Sequence, residues 1–554
     1  MTASPSCELE TPDLCGAYPR LDEQQIAELS RHGQRRSVPP GDILYREGEP
    51  IREFIVILRG KVAVVEGDGE GRRTIAVHGP GRFLGELGLL TGQAGFVTAV
   101  VRKPGEVLAV PADEARTLVA GDPALGDLIL RAYLTRRALL IGLDAGLRII
   151  GSRYSPDARR LREFAARNRI PHRWIDLEED EAADALLREL RISPHDTPVV
   201  IWGGDQVLRN PTTAELAKTI GLPVPASSAA VCDVIVVGAG PAGLAAGVYA
   251  ASDGLTTVVL DAVAAGGQAG TSSRIDNYLG FPTGISGAEL AERAVIQAGK
   301  FGARLTVPAE ASGLEPREGH YGIIVEGECA VKAHAVIIAT GARYRKLDVP
   351  HLEKFEGSGV YYAATPFELR MYRQSPVVIV GGGNSAAQAA LYLIRNASSV
   401  RMLVRGGDVN ASMSRYLADE IDRTPGIEIM YYTEVCELLG DHTLRAVRAQ
   451  NTRTGELQEI QTSALFTFIG ADPHTAWLKG TLQLDDRGFV VTGQGTSPWG
   501  ALLPLETGHL GVFAAGDVRS CSVKRVASAV GEGAMAVRLV HERFTTTGSQ
   551  EGGR

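Results

Sequence analysis

Two short glycine-rich runs carry the most legible chemistry in this sequence. Gly238-Ala239-Gly240-Pro241-Ala242-Gly243 follows the apolar run Cys232 to Val237 and leads into a helix-like stretch from Leu244. In a strand–turn–helix unit, Gly238 permits the tight turn, Gly240 lets the backbone approach a pyrophosphate, and Gly243 lets helix and strand pack closely. The start of the helix adds unpaired N–H groups and the positive end of its dipole. Asp261 stands 21 residues past Gly240, at the end of the run Thr256 to Leu260. A carboxylate there accepts hydrogen bonds from ribose hydroxyls. The second run is Gly381-Gly382-Gly383-Asn384-Ser385-Ala386, after Val377 to Val380 and before a helix through Arg395. Gly381, Gly383, Asn384 and Ser385 are read as its cofactor-binding residues. The next strand ends in Arg405, 22 residues past Gly383. An arginine at this place suits the 2′-phosphate of NADPH and leaves no acid for the ribose of NADH. The other reading is a solvated strand-end charge, which keeps NADH possible.

Two further segments assign FAD to the first turn. Gly511 to Asp517 is a buried-strand pattern that delivers Asp517 at its end, where it can bond a ribityl chain. Ile338-Ala339-Thr340-Gly341 marks the strand that closes the same domain, with Thr340 and Gly341 beside the cofactor. Two dinucleotide sites in one chain imply hydride flow from a nicotinamide to a flavin. The cofactors carry that chemistry, while the protein aligns them and excludes water. No acid–base triad and no metal site is expected.

The elements that position these residues belong to a long soluble chain. It has 554 residues, enough for three to four domains, and a net charge of −8. That charge argues against a nucleic-acid partner, which calls for clustered basic residues. No apolar run approaches the eighteen residues of a membrane span, so no membrane partner is expected. Met1 to Leu14 is polar and acidic, unlike a secretory leader, so the expected location is cytoplasmic. None of the six cysteines forms a C-x-x-C pair. The expected divisions are a flexible tail at 1–17, a β-rich domain at 18–140 and a small α/β domain at 141–224. A flavin domain follows at 225–347 and 473–546, with a nicotinamide domain at 348–472 and a tail at 547–554.

Residues from about 230 to 545 resemble low-molecular-weight bacterial-type thioredoxin reductases. The resemblance rests on both glycine runs, Gly266-Gly267-Gln268, Asp276-Asn277-Tyr278 before Gly280-Phe281-Pro282, Phe468 to Pro473, Asp517, and Gly531-Glu532-Gly533. It implies that Gly267, Gln268 and Asn277 also contact FAD. It also implies a homodimer and a nicotinamide domain that rotates against the flavin domain. The departure lies at the dithiol: Ala363 and Pro366 stand where the family carries its two cysteines. A methyl group or a pyrrolidine ring cannot replace a thiolate in disulfide exchange. The family's paired basic residues after the second-domain strand become Gly406-Gly407, leaving Arg405 and Arg415 for the phosphate. Cys521, four residues past Asp517, is expected in a core or helix-start role.

The N-terminal region, from Phe54-Ile55-Val56 through Gly85-Glu86-Leu87 to Val97, resembles a cyclic-nucleotide-binding domain. The resemblance implies that the Gly85-Glu86-Leu87 turn receives a cyclic phosphate and that Glu86 accepts from its ribose. An arginine is expected eleven residues past Gly85, and Phe96 stands there instead. The site then holds another ligand, with Phe96 stacking on a base, or it serves as a docking or dimerisation module. Residues 147–222 resemble a glutaredoxin- or thioredoxin-like domain, with Ser155-Pro156-Asp157-Ala158 in the C-P-x-C frame and a cis-proline turn at Thr197-Pro198. The expected fold class is therefore multidomain α/β. Two Rossmann-like dinucleotide-binding domains follow a cyclic-nucleotide-binding-like β-barrel and a small thioredoxin-like domain. The expected function is an FAD-dependent NAD(P)H oxidoreductase with an unidentified acceptor, open to regulation by an N-terminal ligand. The alternative is a non-turnover redox or nucleotide sensor.

Overall fold

The computed structural model describes residues 9–13, 15–67, 72–180, 187–188, 192–203, 206–223, 230–272, 274–275, 277–356, 359–362, 364, 372–441, 443–493, 496–497, 500–501 and 503–551. The chain divides into two compact units. One holds residues 1–224 with 306–308, and the other holds 225–305 with 309–554.

In the first unit two 14-residue strands, Glu53–Glu66 and Thr98–Pro111, pair antiparallel and form the centre of a six-stranded sheet. Both are rich in valine and isoleucine, whose branched side chains fit a pleated surface. Gly60, at φ 94°, lets the first strand bend where the register shifts between Ile57 and Val62. Pairing among the described residues does not close this sheet into a ring. The helix Pro123–Gly142 packs Leu125, Ile129 and Ala132 onto the same core as Phe54, Phe83 and Leu108. Residues 9–13, expected as part of a loose tail, are instead tied to the sheet through Glu10 and Thr11. Thr11 N–H donates to Val77 O at 3.0 Å, and Val77 N–H donates to Thr11 Oγ1 at 2.8 Å. Glu10 accepts from Gly79 N–H and pairs with Arg20 and Arg82. A polar segment reads as a tail in sequence, but an edge strand with free N–H and C=O groups gives it partners.

The same unit continues into a four-stranded mixed sheet. Leu147–Gly151 pairs parallel with His172–Asp176 and antiparallel with Val199–Trp202, which pairs antiparallel with Gln206–Arg209. The Thr197-Pro198 bond is cis, as the sequence pattern implies. Ser155 caps the helix Pro156–Arg167 by accepting from Ala158 N–H. A Cβ on Gly151 would lie 3.1 Å from Pro198 Cβ and 3.2 Å from Ala158 Cβ. The Ser-Pro-Asp-Ala frame and the cis-proline therefore share one corner.

In the second unit Val231–Val237 lies parallel to Thr257–Leu260 on one side and to Glu328–Ile338 on the other, and Glu328–Ile338 is parallel to Val512–Ala514. An antiparallel meander through His320–Val325 and Ala311–Arg317 extends the sheet. Each face meets its own apolar cluster, one including Ile235 and Val258, the other Val234 and Phe513. Burial on both faces explains the unbroken apolar runs. A second, parallel sheet orders Val360–Tyr361, Ala464–Thr467, Pro376–Val380, Ser399–Val404 and Ile427–Tyr431. The chain enters and leaves this region through a two-stranded ribbon, Ala342–Tyr344 against Ala471–Pro473. The final helix runs from Val526 to Glu551, past the expected boundary at 546. Its N-terminal half is anchored by packing on the helix Pro241–Ser252, where a Cβ on Gly533 would overlap Ala242 O.

Candidate functional site

The first glycine turn is assembled as its spacing requires. Gly238 sits at φ 105°, open to glycine alone at little cost, and a Cβ there would overlap Ala339 O. A Cβ on Gly243 would overlap Gly238 O and lie 3.3 Å from Ala339 Cβ, so helix and strand meet at van der Waals distance. Gly240 is the N-cap of the helix Pro241–Ser252, with no side-chain cap. The nearest heavy atom to a Cβ on it is Gly267 Cα, at 3.9 Å. That leaves an uncapped helix start with open space in front of it, which fits a pyrophosphate. Gly266 N–H donates to Ala239 O at 2.7 Å and brings Gly267 and Gln268 to the same turn. Gln268 precedes a short 3-10 turn and makes no capping bond.

Asp261 ends the strand Thr257–Leu260 and reaches back to this loop. Its carboxylate accepts from Ala239 N–H at 2.7 Å and from Val263 and Ala264 N–H at 3.0 Å. The acid is thus pinned beside the phosphate turn by backbone donors. Thr340 is held by donation from Oγ1 to His474 O at 2.9 Å, and Gly341 O accepts from His474 N–H. No atom lies within 4 Å of a Cβ built on Gly341.

Asp517 lies in the turn Gly516–Val518, directly after the strand Val512–Ala514. No described residue donates a hydrogen bond to its carboxylate. Burial pushes its pKa up, with Lys524 opposing and Glu532 adding to the rise. A desolvated carboxylate without donors is costly, and the hydroxyls of a ribityl chain would supply them. Glu532 sets this turn: it accepts from Gly516 N–H at 2.7 Å and pairs with Arg519 at 2.5 Å. Lys524 adds a donor to Asp517 O at 2.7 Å, and burial lowers its pKa. The residues present therefore fit a flavin dinucleotide. The sequence pattern includes Glu532 without assigning it a role, because its partners lie 13 and 16 residues away on another element.

Asn277 is exposed, on the loop Asn277 to Pro282 that lines a concavity of about 460 Å³ beside Tyr278 and Phe281. Asp276 lies outside the described residues. Cys521 is neither in a core nor at a helix start. It is exposed, at φ 59°, in the turn before the final helix, because the chain must reverse between Asp517 and Val526.

At the second turn Gly381 has φ 138°, and a Cβ would overlap Phe468 O. Gly383 is the uncapped N-cap of Asn384–Leu393, with only Ser412 O near a Cβ, at 3.7 Å. Ser385 is exposed in the first helical turn. Asn384 exchanges two bonds with Ser414, donating to Oγ at 2.9 Å and accepting from N–H at 2.6 Å. This fixes the loop after Ser399–Val404 against the helix start. Arg405 stands at the end of that strand with its side chain 85% exposed, 3.9 Å from Glu434. Arg415 opens the next helix and is also exposed. A Cβ on Gly407 would overlap the Tyr432 hydroxyl, so that ring packs directly on this loop, and Arg453 stacks over the Tyr432 ring at 4.8 Å. Arg405 and Arg415 bound the segment that meets the glycine turn through Ser412 and Ser414, an arrangement that fits a phosphorylated dinucleotide. Ala363 and Pro366 lie outside the described residues.

No group of metal-ligating residues occurs among the described residues, and no helix there is long and apolar enough to cross a membrane. Residues 35–122 match the cyclic nucleotide-binding domain family. The thioredoxin reductase of Treponema pallidum is 36% identical over 317 residues, which are 57% of this chain and 97% of that protein. The solved thioredoxin reductase of T. acidophilum is 31% identical at a TM-score of 0.52, covering 56% of this chain and 98% of that one. That of Lactococcus lactis is 28% identical at a TM-score of 0.52, covering 57% and 99%. Residues 232–533, more than half of the chain, match the pyridine nucleotide-disulphide oxidoreductase family. The chain therefore belongs to that family, as a thioredoxin-reductase-like, FAD-dependent oxidoreductase of a kind that uses FAD and NADPH, joined to an N-terminal domain of the cyclic-nucleotide-binding type.

Proposed function

We propose that this chain moves reducing equivalents from NADPH through FAD to an acceptor other than a dithiol of its own. The observation that carries this reading is the pair of uncapped, open glycine turns, Gly238–Gly243 and Gly381–Gly383, each ahead of a helix and each following a strand with parallel neighbours in its own sheet. The bound cofactors supply hydride and electron transfer. The protein's residues bind and orient. Asp261 and Asp517 accept from the sugar and ribityl hydroxyls, the helix starts hold pyrophosphates, and Arg405 with Arg415 holds the 2′-phosphate. Asn384 and Ser414 keep the second loop in place.

The sequence supports the absence of an internal dithiol, since Ala363 and Pro366 replace the cysteines and no C-x-x-C exists elsewhere. Electrons then leave to a carrier protein, a quinone, oxygen or a separate dithiol protein. By analogy with the family, the working unit is a homodimer. The family match over 35–122 raises a nucleotide ligand for the N-terminal domain, a reading opposed by the pairing of Glu86 with Arg136 and the burial of Phe96.

Anaerobic stopped-flow absorbance tests the reading. Purified yellow protein should bleach with NADPH and reoxidise with one of a panel of acceptors. A flavin that neither NADPH nor NADH reduces would overturn it. Reduction without turnover on any acceptor would point to a sensor.

A further inference from the structure

The cassette that follows Phe83–Leu84 should offer a cyclic nucleotide a carboxylate for its ribose and a cation for its phosphate. Glu86 is the carboxylate, and it is already used. Its Oε2 pairs with Arg136 Nη1 at 2.7 Å, and the two side chains are only 13% and 10% exposed. Arg136 is held further by donation to Ala17 O at 2.7 Å and Phe83 O at 3.1 Å, and its Nη2 has no hydrogen-bond partner among the described residues. Diverting Glu86 to a ribose would leave a buried guanidinium without the carboxylate it pairs with. The cation position is Phe96, 1% exposed.

Phe96 does not wait for a base. Its ring meets Trp202 edge-on, with centroids 5.1 Å apart and planes at 62°. Trp202 ends the strand Val199–Trp202 of the following small domain and is itself 1% exposed. Two more contacts join the same places. Gly48 and Gly203, at φ 82° and 63°, approach so closely that a Cβ on Gly48 would lie 2.9 Å from Gly203 Cα and 3.6 Å from Trp202 Nε1. A Cβ on Gly221 would lie 3.5 Å from Ala94 N. Gly48 N–H donates to Gly95 O at 2.9 Å and Gly95 N–H donates to Glu49 O at 3.0 Å, so the two loops that grip Trp202 are one bonded piece.

We propose that this cassette is the docking seat of the second domain of the same chain, with Trp202 as its plug, and that it does not bind cyclic nucleotides. A cyclic phosphate at the seat would be buried against two aromatic rings without the arginine that position 96 is expected to supply, an arrangement that desolvation opposes. Trp202 stands at the far end of its strand from Pro198. The joint therefore grips the small domain away from the corner where Ser155 and the cis-proline meet.

Two measurements on the full-length flavoprotein test this. Calorimetric titration with cyclic AMP and cyclic GMP, each to about 1 mM, should give no saturable heat. Saturable binding that Glu86→Gln abolishes would overturn the proposal. Hydrogen exchange read by mass spectrometry should show peptides spanning 93–97 and 199–209 losing protection together in Gly48→Gln. Trp202→Ala, made from the other side of the joint, should do the same, while flavin content stays constant. Loss confined to the mutated side in both variants would also overturn it.

Discussion

Glu532 accepts the Gly516 N–H at 2.7 Å and so aims the turn that carries Asp517, although the two partners lie on different elements. The same carboxylate pairs with Arg519, with both side chains less than a fifth exposed. Glu532→Gln keeps the shape but removes the charge. A hydrogen bond to a charged group contributes about 1.5–3 kcal/mol, so flavin affinity should fall roughly ten- to a hundredfold. Fluorescence of FAD released on dilution measures it. Unchanged retention would show that Glu532 serves only the fold.

Asp517 gives a pH signature. Its folded pKa is raised above 3.8 by burial, so the folded apoprotein binds a proton more readily there than the unfolded chain. The contribution to stability is therefore greatest at low pH and is lost as pH rises from about 3.8 through the folded pKa. Asp517→Asn should raise the melting temperature of the apoprotein at pH 7 while weakening FAD binding. The test is a thermal melt of apo wild type and variant at acid and neutral pH. A variant no more stable than wild type at pH 7 would refute it.

His78 titrates in the opposite sense. It is 1% exposed, and burial with the charges of Arg136 and Arg82 holds its pKa well below 6.5. On acidification the unfolded chain takes up a proton near 6.5 while the folded imidazole stays neutral. Stability of the first unit is thus lost as pH falls below about 6.5. His78→Gln should flatten that dependence in urea unfolding followed between pH 5 and 7. An unaltered slope would exclude His78 as its source.

Arg405 is the test of nicotinamide choice. Its exposed guanidinium has only a 3.9 Å approach to Glu434, so truncation costs the fold little. Arg405→Ala should lower kcat/KM for NADPH by about tenfold or more and leave NADH nearly unaffected. Equal losses for both nucleotides would place Arg405 elsewhere than at the 2′-phosphate.

The proposed absence of an internal dithiol predicts that wild-type protein gives no NADPH-dependent thioredoxin reduction above background. Installing Ala363→Cys with Pro366→Cys should create some, read by insulin precipitation. Turnover by wild type that Cys521→Ser removes would instead make Cys521 a redox group.

Both glycine turns are legible in the residue order because strand, turn and helix are contiguous. Gly238 and Gly381 answer to backbone conformation a few residues either side, and Asp261 and Arg405 follow from the fixed length of one βα unit. The same locality makes the cis turn at Thr197-Pro198 and the Ser155 cap foreseeable. Side-chain partners brought together by packing are not. The motif around Glu86 implies a ribose acceptor, yet Arg136, fifty residues on, claims it. The sequence leaves Phe96 open between a base and a docking partner, and the ring it meets in the fold is Trp202, from a separate sheet. Glu10 and Thr11 have the composition of a tail, and an edge strand gives them donors and acceptors. What the residue order determines by itself is chemistry that depends on backbone geometry over short spans. Which buried charge meets which, and which ring fills which gap, depends on the close packing of segments far apart in the chain, and only the tertiary structure settles that.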